Sequence, residues 1–330
     1  MIKIKLSTDF PYEPIERQTP GRRAIWGDCQ FFINSPINEC DFWVVYNGVL
    51  HKETALCPPQ NTILITGEPP SITNYSSAYA QQFARVVTCH TNIAHPRLKR
   101  DQTGLCWHVG RVLLDIKANK SKVNLDYDAL KAMHSFPKTK LMSVITSSKD
   151  FTEGHKKRLH FVNRLKEHFG SDIDVFGRGI REIDDKWDAV YPYKYHIALE
   201  NSVVPYYWTE KLADAYLAGA YPIYYGCPNL EDYFPDGSYT RINIDDVEGS
   251  IRIIENCIRE QRYEMAQDKI KRARDLVLDK YNLFALIAEL TQEPVTRRRK
   301  IVVTAGQKVS RVVTYRPTRK ERITIYPKEN

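Results

Sequence analysis

The run "ALENSVVPYYWTEKL" (198–212) gathers two carboxylates, an amide and a lysine between a strand-like segment and a helix-like one. Its apolar start ends on Glu200-Asn201, a proline and three aromatics follow, and Thr209-Glu210-Lys211 opens a helical pattern. Thr209 is of the type that caps a helix N-terminus. Lys211 then falls at the positive end of the helix dipole, where a cation is misplaced. A phosphate sharing that end would explain it, because helix N-termini bind anions. The plain alternative is a lysine reaching into solvent. In parallel α/β sheets, ligands sit outside the carboxyl ends of the strands, so Glu200-Asn201 would face a crevice.

Other candidates carry less by themselves. Glu68 stands in the Gly-Pro turn of "LITGEPP" and reads alone as ordinary surface. Arg158 reads alone as one of four basic residues on a solvated helix face. Cys89, His90, His95, Cys106 and His108 are close in sequence but fit no common zinc spacing, so packing is expected of them. Asp172-Ile173-Asp174 mimics the Asp-x-Asp of metal-dependent transferases, yet it leads straight into a strand. "GRGIRE" (177–182) lacks the Gly-Lys-Ser/Thr ending of a phosphate loop.

The elements that must position these residues divide in two. Up to about residue 140, short strand-like runs ("IKIKL", "DFWVVYN", "NTILITGE", "ARVVTCH", "LCWHV") alternate with turns, and one helix can follow Glu68. From Leu141 onward strands and helices alternate: "LMSVIT", "EGHKKRLHFVNRLKEHF", "DIDVFG", "YHIALE", "TEKLADAYLAG", "AYPIYYG", "EGSIRIIENCIREQ", then helix over roughly 262–290. That alternation predicts a doubly wound parallel sheet. The polar stretch near 118–140 is the expected hinge. The expected units are 1–135, 136–295 and a compositionally separate basic tail, 296–330.

At 330 residues the chain is long enough for two domains. No apolar run approaches the ~20 residues of a membrane span, and the N-terminal "MIKIKLSTDF" lacks a signal-peptide core. Seven scattered cysteines without a CxxC pair read as reduced thiols, so a cytoplasmic setting is expected. The net charge of +8 resides in the tail: residues 297–330 carry eleven Lys/Arg against two Glu, leaving the body at −1.

The run Tyr193–Pro235, "YKYHIALENSVVPYYWTEKLADAYLAGAYPIYYGCPNLEDYFP", resembles the signature of glycosyltransferase family 10, the α1,3/4-fucosyltransferases. The shared order is a strand ending in Glu-Asn, a bend, Tyr-x-Thr-Glu-Lys, a small-residue helix, and a Gly-Pro loop leading to Phe-Pro. "DVFGRG" (174–179) is similar to the family's Tyr-Gly-x-Gly turn with Phe176 in place of Tyr, and "KRLHFVNRL" (157–165) to its Arg-x-x-Phe-x-x-x-Leu helix. The likeness covers roughly 140–260, is weak before 140 and absent from the tail.

The resemblance implies an α/β fold of GT-B type, two Rossmann-like domains facing a central cleft. The second domain would hold a GDP-sugar, GDP-fucose in the family, and the first an oligosaccharide or glycolipid acceptor. It implies an inverting transfer with no obligatory metal, Mn or Mg acting at most as a stimulant. Lys211 and Arg158 would then face the diphosphate, with Gly177, Asn201, Glu200 and Tyr207 contributing to the donor site. Glu210 would meet ribose or sugar hydroxyls or steady the developing cation. Glu68, in Thr66-Gly67-Glu68, matches the family's acceptor-domain Glu and becomes the candidate base. Tyr206 and Trp208 stay open between stacking on guanine or sugar and packing.

Two other readings stand beside this one. The same fold could use another GDP-hexose, since no residue demonstrably reads the fucose methyl. A silent scaffold whose tail binds nucleic acid or an anionic surface is the other. The body keeps every charged member of the motif, so the tail is expected rather to dock the enzyme on an anionic membrane, glycan or partner, with nucleic acid disfavoured.

Overall fold

A computed structural model of the protein describes residues 1–11, 13–115, 117–146, 153–292 and 320–328. Most of the basic tail, including "IVVTAGQKVSRVV", therefore lies outside the described residues.

The first sheet contains β1 (Ile2–Thr8), β2 (Ile25–Trp26), β3 (Cys29–Ile33), β4 (Phe42–Tyr46), β6 (Thr62–Ile65), β7 (Arg85–Thr88) and β8 (Leu98–Arg100). Their spatial order is β2-β3-β1-β4-β6-β7-β8, parallel except for the β2–β3 pair. β4 and β6 are buried along their whole length, so both faces are covered and their sequences run apolar without alternation. β5 (Glu53–Cys57) lies outside this sheet. The stretch after Glu68 holds only the one-turn helix α1 (Ser77–Ala80).

A small antiparallel ribbon, β9 (Arg111–Asp115) and β10 (Lys120–Val123), and the short helix α2 (Tyr127–Ala132) lead into the second domain. There β11 (Lys140–Ile145), β12 (Ile173–Phe176), β13 (Tyr193–Leu199), β14 (Tyr221–Tyr225) and β15 (Thr240–Arg241) form an all-parallel sheet ordered β12-β11-β13-β14-β15. The helices α3 (Glu153–Phe169), α4 (Trp187–Val190), α5 (Glu210–Leu217), α6 (Val247–Arg259), α7 (Arg262–Met265), α8 (Gln267–Asp279) and α9 (Leu283–Gln292) follow in chain order. α5 is buried nearly all round, which its small residues Ala213 and Ala215 permit by letting neighbours approach closely. In both sheets the first strand lies between strands that wind in opposite directions, so each has a topological switch point at its carboxyl edge. This is the expected α/β, GT-B type pair of Rossmann-like domains.

One expected strand does not form. "LCWHV" (105–109) pairs with no strand, because it runs between the domains and its backbone bonds to side chains. Trp107 N–H donates to Gln18 Oε1 (3.1 Å), and the His108 and Val109 N–H groups donate to Asp214 Oδ1 (2.9 and 3.1 Å). The buried Arg17 guanidinium donates to the Val109 and Leu125 carbonyls at 3.0 and 2.8 Å. Both domains thus grip the connection.

Two segments, one from the expected unit 136–295 and one from the expected tail 296–330, pack on the first domain. α9 places Leu283, Phe284 and Ile287 in the core of the first sheet, beside Ile4, Phe31 and Val44. Residues 320–328 also return to that domain. β16 (Glu321–Ile325) pairs antiparallel with β5, and Ile323 and Ile325 pack with Trp43, Val45 and Tyr79 on the sheet's other face. Apolar alternation in "RITI" is what that burial requires. Among the described residues no helix is long and apolar enough to cross a membrane.

Candidate active site

A pocket of about 300 Å³ opens at the carboxyl ends of β11, β12 and β13, the switch point of the second sheet. Arg158, Arg178, Lys186 and Lys211 line it against the carboxylates Glu210 and Asp214, a formal balance of +2. His196 also lines it, but burial lowers its pKa to about 3 and leaves the ring neutral. Of the eight expected site residues, Arg158, Gly177, Asn201, Glu210 and Lys211 meet here.

Arg158 projects from α3 and is 7% exposed. Its Nε donates to Thr146 Oγ1 at 3.1 Å and its Nη1 to Asn201 Oδ1. No carboxylate among the described residues pairs with it, and its described partners, Thr146 and Asn201, are neutral. Gly177 makes room beside it. Its φ is +133°, and a Cβ there would stand 1.6 Å from the Thr146 carbonyl oxygen, so only glycine fits the turn that follows β12.

Glu200 does not line the pocket. Its buried carboxylate accepts from Thr209 N–H (2.8 Å) and from the Thr209 hydroxyl (3.0 and 2.8 Å to the two oxygens). It therefore ties the end of β13 to the N-cap of α5. Thr209 caps as expected, its hydroxyl accepting from Lys211 N–H at 3.3 Å. The Lys211 ammonium lies 3.2 Å from Glu210 Oε1 and 3.4 Å from Glu200 Oε2. Burial alone would lower its pKa, but the two carboxylates outweigh burial and hold it above the ordinary value.

Glu210 stands at the centre of a charge cluster that the sequence did not disclose. Besides Lys211, Lys186 Nζ lies 3.4 Å and His108 Nδ1 3.6 Å from its Oε1. Burial would raise its pKa, yet Lys211 and Lys186 hold it well below the usual range. Asp214, one helical turn on, bonds the interdomain connection through Oδ1, and burial pushes its pKa up to about 6. On the far side of His108, Glu13 of the first domain is 3.8 Å from Nε2 and 2.8 Å from the Arg111 guanidinium. Burial lowers the His108 pKa far below that of a free imidazole, with Lys186 adding to the effect. The i, i+4 spacing of Glu210 and Asp214 was a legible sign of two carboxylates on one helix face. Nothing local marked Lys186, His108 or Glu13, which long-range folding delivers.

Glu68 arrives from the first domain, in the turn after β6. His90 bonds its carbonyl oxygen through Nε2 at 2.8 Å, and Gly67 N–H donates to the Tyr75 hydroxyl at 3.2 Å. The Glu68 pKa is raised, by burial first and by Glu210 next, with Lys211 and Lys328 opposing. Its carboxylate therefore feels the charges of both domains. The domains touch beside it, where the Ser71 and Ser202 hydroxyls are 2.5 Å apart. Tyr207 is buried outside the pocket, kept protonated by burial and then by Glu200, Glu68 and Glu210. Trp208 packs in the core, its ring centroid 5.0 Å from Phe234 and 5.5 Å from Tyr281, which settles its role as structural.

The cysteine and histidine run holds no cluster. His90 and His95 bond separate carbonyls, and Cys89 and Cys106 are buried thiols. Asp174 is occupied by Lys140 (2.9 Å) and Tyr193 (2.6 Å). Among the described residues no three His, Cys, Asp or Glu side chains converge as metal ligands.

Comparison with known proteins bears on the same residues. Residues 136–256 match the model of the glycosyltransferase family 10 (fucosyltransferase) C-terminal domain. The chain is 38% identical to human alpha-(1,3)-fucosyltransferase 4 over 97 residues, 27% of this chain and 17% of that one. It is 35% identical to Drosophila melanogaster alpha-(1,3)-fucosyltransferase B over 114 residues, 30% of this chain and 25% of that one. With Xenopus laevis GDP-fucose protein O-fucosyltransferase 3 it shares 49% identity over 43 residues, 13% of this chain and 9% of that one. The matches thus span a quarter or less of these relatives' lengths. A crystal structure of an alpha1,3-fucosyltransferase with GDP-fucose superposes at a TM-score of 0.49 and 17% identity, covering 90% of this chain and 91% of that one. Over residues 136–256 the chain is thus similar to the fucosyltransferases of glycosyltransferase family 10.

Proposed function

We propose that this protein transfers fucose from GDP-fucose to a hydroxyl of a glycan acceptor, with inversion at the anomeric carbon. One observation carries the reading: a pocket of net positive charge at the switch point of the second sheet, with Arg158 buried in it and unopposed by any carboxylate among the described residues. A diphosphate is the group such a pocket accommodates best, because a fixed cation in a water-poor cleft costs no reorganisation when the leaving group gains charge. The family match supports the choice of fucose.

In this reading Arg158 binds the diphosphate directly. Lys211 lends its ammonium while Glu200 and Glu210 hold it in place. Glu210, kept ionised, faces the sugar side and steadies the positive charge that develops as the glycosidic bond breaks. Asn201 and Gly177 shape the wall, and Glu200 and Tyr207 hold the loop. Glu68 removes the proton of the acceptor hydroxyl from across the cleft, a role for which a raised carboxyl pKa is suited. We also propose a reducing, cytoplasmic setting, on the support of seven buried free thiols.

The test is GDP release from GDP-fucose and from GDP-mannose, each with a panel of N-acetylglucosamine- and glucose-containing oligosaccharides. Product formation with GDP-fucose, and a β-to-α change at the anomeric carbon by NMR, is the expected result. Turnover of GDP-mannose alone would replace the donor. Activity with neither would favour a scaffold.

A further inference from the structure

The switch point of the first sheet lies between the carboxyl ends of β1 and β4, at Asp9 and at Asn47-Gly48. In an α/β domain this is where a ligand is expected. Here a side chain from the C-terminal segment enters it. Lys328 Nζ lies 3.1 Å from Asp9 Oδ2 and 5.2 Å from the centroid of the Tyr75 ring. The segment that delivers it is well anchored. β16 pairs with β5 along its whole length, Ile325 is fully buried, and Tyr326 N–H donates to Gln82 Oε1 at 2.9 Å.

The contacts continue inward. Asn47 Nδ2 donates to Asp9 Oδ1 at 2.7 Å, the Tyr75 hydroxyl donates to Asn47 Oδ1, and Gly67 N–H donates to the Tyr75 oxygen at 3.2 Å. Asn47 adopts a left-handed φ of +65° to make this bridge. A connected path thus runs from Lys328 through Asp9, Asn47 and Tyr75 to the Thr66–Gly67 peptide, one residue before Glu68. Tyr75 is 2% exposed, so its hydroxyl has little freedom to choose other partners.

We propose that Lys328 is a positioning residue of the active site: the C-terminal strand carries it into the first domain's switch point, where it holds the Asp9–Asn47–Tyr75 chain against the Thr66-Gly67-Glu68 turn and sets the charge surrounding the Glu68 carboxylate. The inference rests on the reading of Glu68 as the base. It gives the end of the basic tail a function internal to the domain, independent of any anionic partner. The charges that face Glu68 are Glu210 and Lys211 from α5, Asp9 from the loop after β1, and Lys328. Lys328 and Lys211 favour its ionised form, whereas Glu210 and Asp9 oppose it. Removing Lys328 therefore leaves the carboxylate harder to ionise.

The test uses the full chain with Lys328→Gln and Lys328→Arg, and reads Glu68 directly by titrating its side-chain carboxyl carbon by NMR, with Glu68→Gln identifying the signal. In Lys328→Gln the Glu68 pKa should rise by about half a unit or more, and Lys328→Arg should restore it. GDP-fucose turnover should follow, with kcat down about tenfold or more in Lys328→Gln, GDP affinity unchanged, and the acid limb of the pH profile moved to higher pH. An unchanged Glu68 titration in Lys328→Gln would overturn the proposal, as would faster turnover, which would mark the segment as an inhibitory plug. Failure of the functional reading looks different: Glu68→Gln would then turn over normally, whatever the titration shows.

Discussion

Lys211 is held between two carboxylates, 3.2 Å from Glu210 and 3.4 Å from Glu200, at the positive end of α5. The apparent misplacement of a cation at a helix N-terminus is thereby resolved within the protein. The two acids exceed its charge by one, and Lys186, 3.4 Å from Glu210, restores the balance. Arg158 is the opposite case, a buried cation whose partners among the described residues are all neutral.

That contrast separates two variants. Lys211→Met should weaken GDP binding and also destabilise the fold by about 3 kcal/mol, because Glu200 is left buried without its counter-charge. Arg158→Met should weaken GDP binding by about tenfold or more with a smaller loss of stability. Calorimetry with GDP and urea denaturation of both variants supply the comparison. Equal stability losses, or unaltered GDP affinity in Arg158→Met, would contradict it.

Glu68→Gln should leave GDP affinity intact and lower transfer by about a hundredfold or more, the usual contribution of a general base. The base acts as a carboxylate, and burial together with Glu210 raises its pKa. The wild-type kcat/KM should therefore fall as pH drops through a value above the ordinary glutamate range. A pH-independent rate would remove Glu68 from this role.

Thr209→Ala should cost about 2–4 kcal/mol, because it removes the N-cap of α5 and the hydroxyl bond, shared between both oxygens, that helps satisfy the buried Glu200. Thr209→Ser keeps both hydroxyl functions and should recover most of the loss. Chemical denaturation measures this. A loss below about 0.5 kcal/mol in the alanine variant would mean that Glu200 finds other partners.

Asp214 gives a pH signature in stability. Its folded pKa of about 6 lies above the ordinary aspartate value of 3.8, so the folded state binds the proton more tightly than the unfolded chain. The penalty of the buried charge is absent below the unfolded value and complete above the folded one. Asp214→Asn can still accept from His108 and Val109. It should match the wild type at about pH 4 and exceed it by about 1–3 kcal/mol at pH 8. Denaturation at the two pH values decides, and a constant difference would show that Asp214 titrates normally.

Much of the second domain was legible in the chain. The runs "LMSVIT", "DIDVFG", "YHIALE" and "AYPIYYG" became parallel strands, and "EGHKKRLHFVNRLKEHF" became α3 from end to end. Local grammar suffices there because the central strands β13 and β14 are buried almost throughout and α3 alternates apolar and charged positions at helical spacing, so period and length determine the element. The cap at Thr209 is equally local, a matter of a few bonds, whereas the demand for glycine at 177 joins a local φ to the approach of the Thr146 carbonyl. "LCWHV" misled for a physical reason: an apolar segment between two domains has the composition of a strand, but its amides are satisfied by Gln18 and Asp214. Sequence determined which groups could carry the chemistry at the rim of the second sheet. Only the tertiary structure decided how they are shared. It turned Glu200 inward to Thr209, brought Lys186 and His108 to Glu210, set Glu68 across the cleft, and laid Lys328 beside Asp9. These pairings join residues from 9 to more than 300 positions apart, and charge acts through space rather than along the chain.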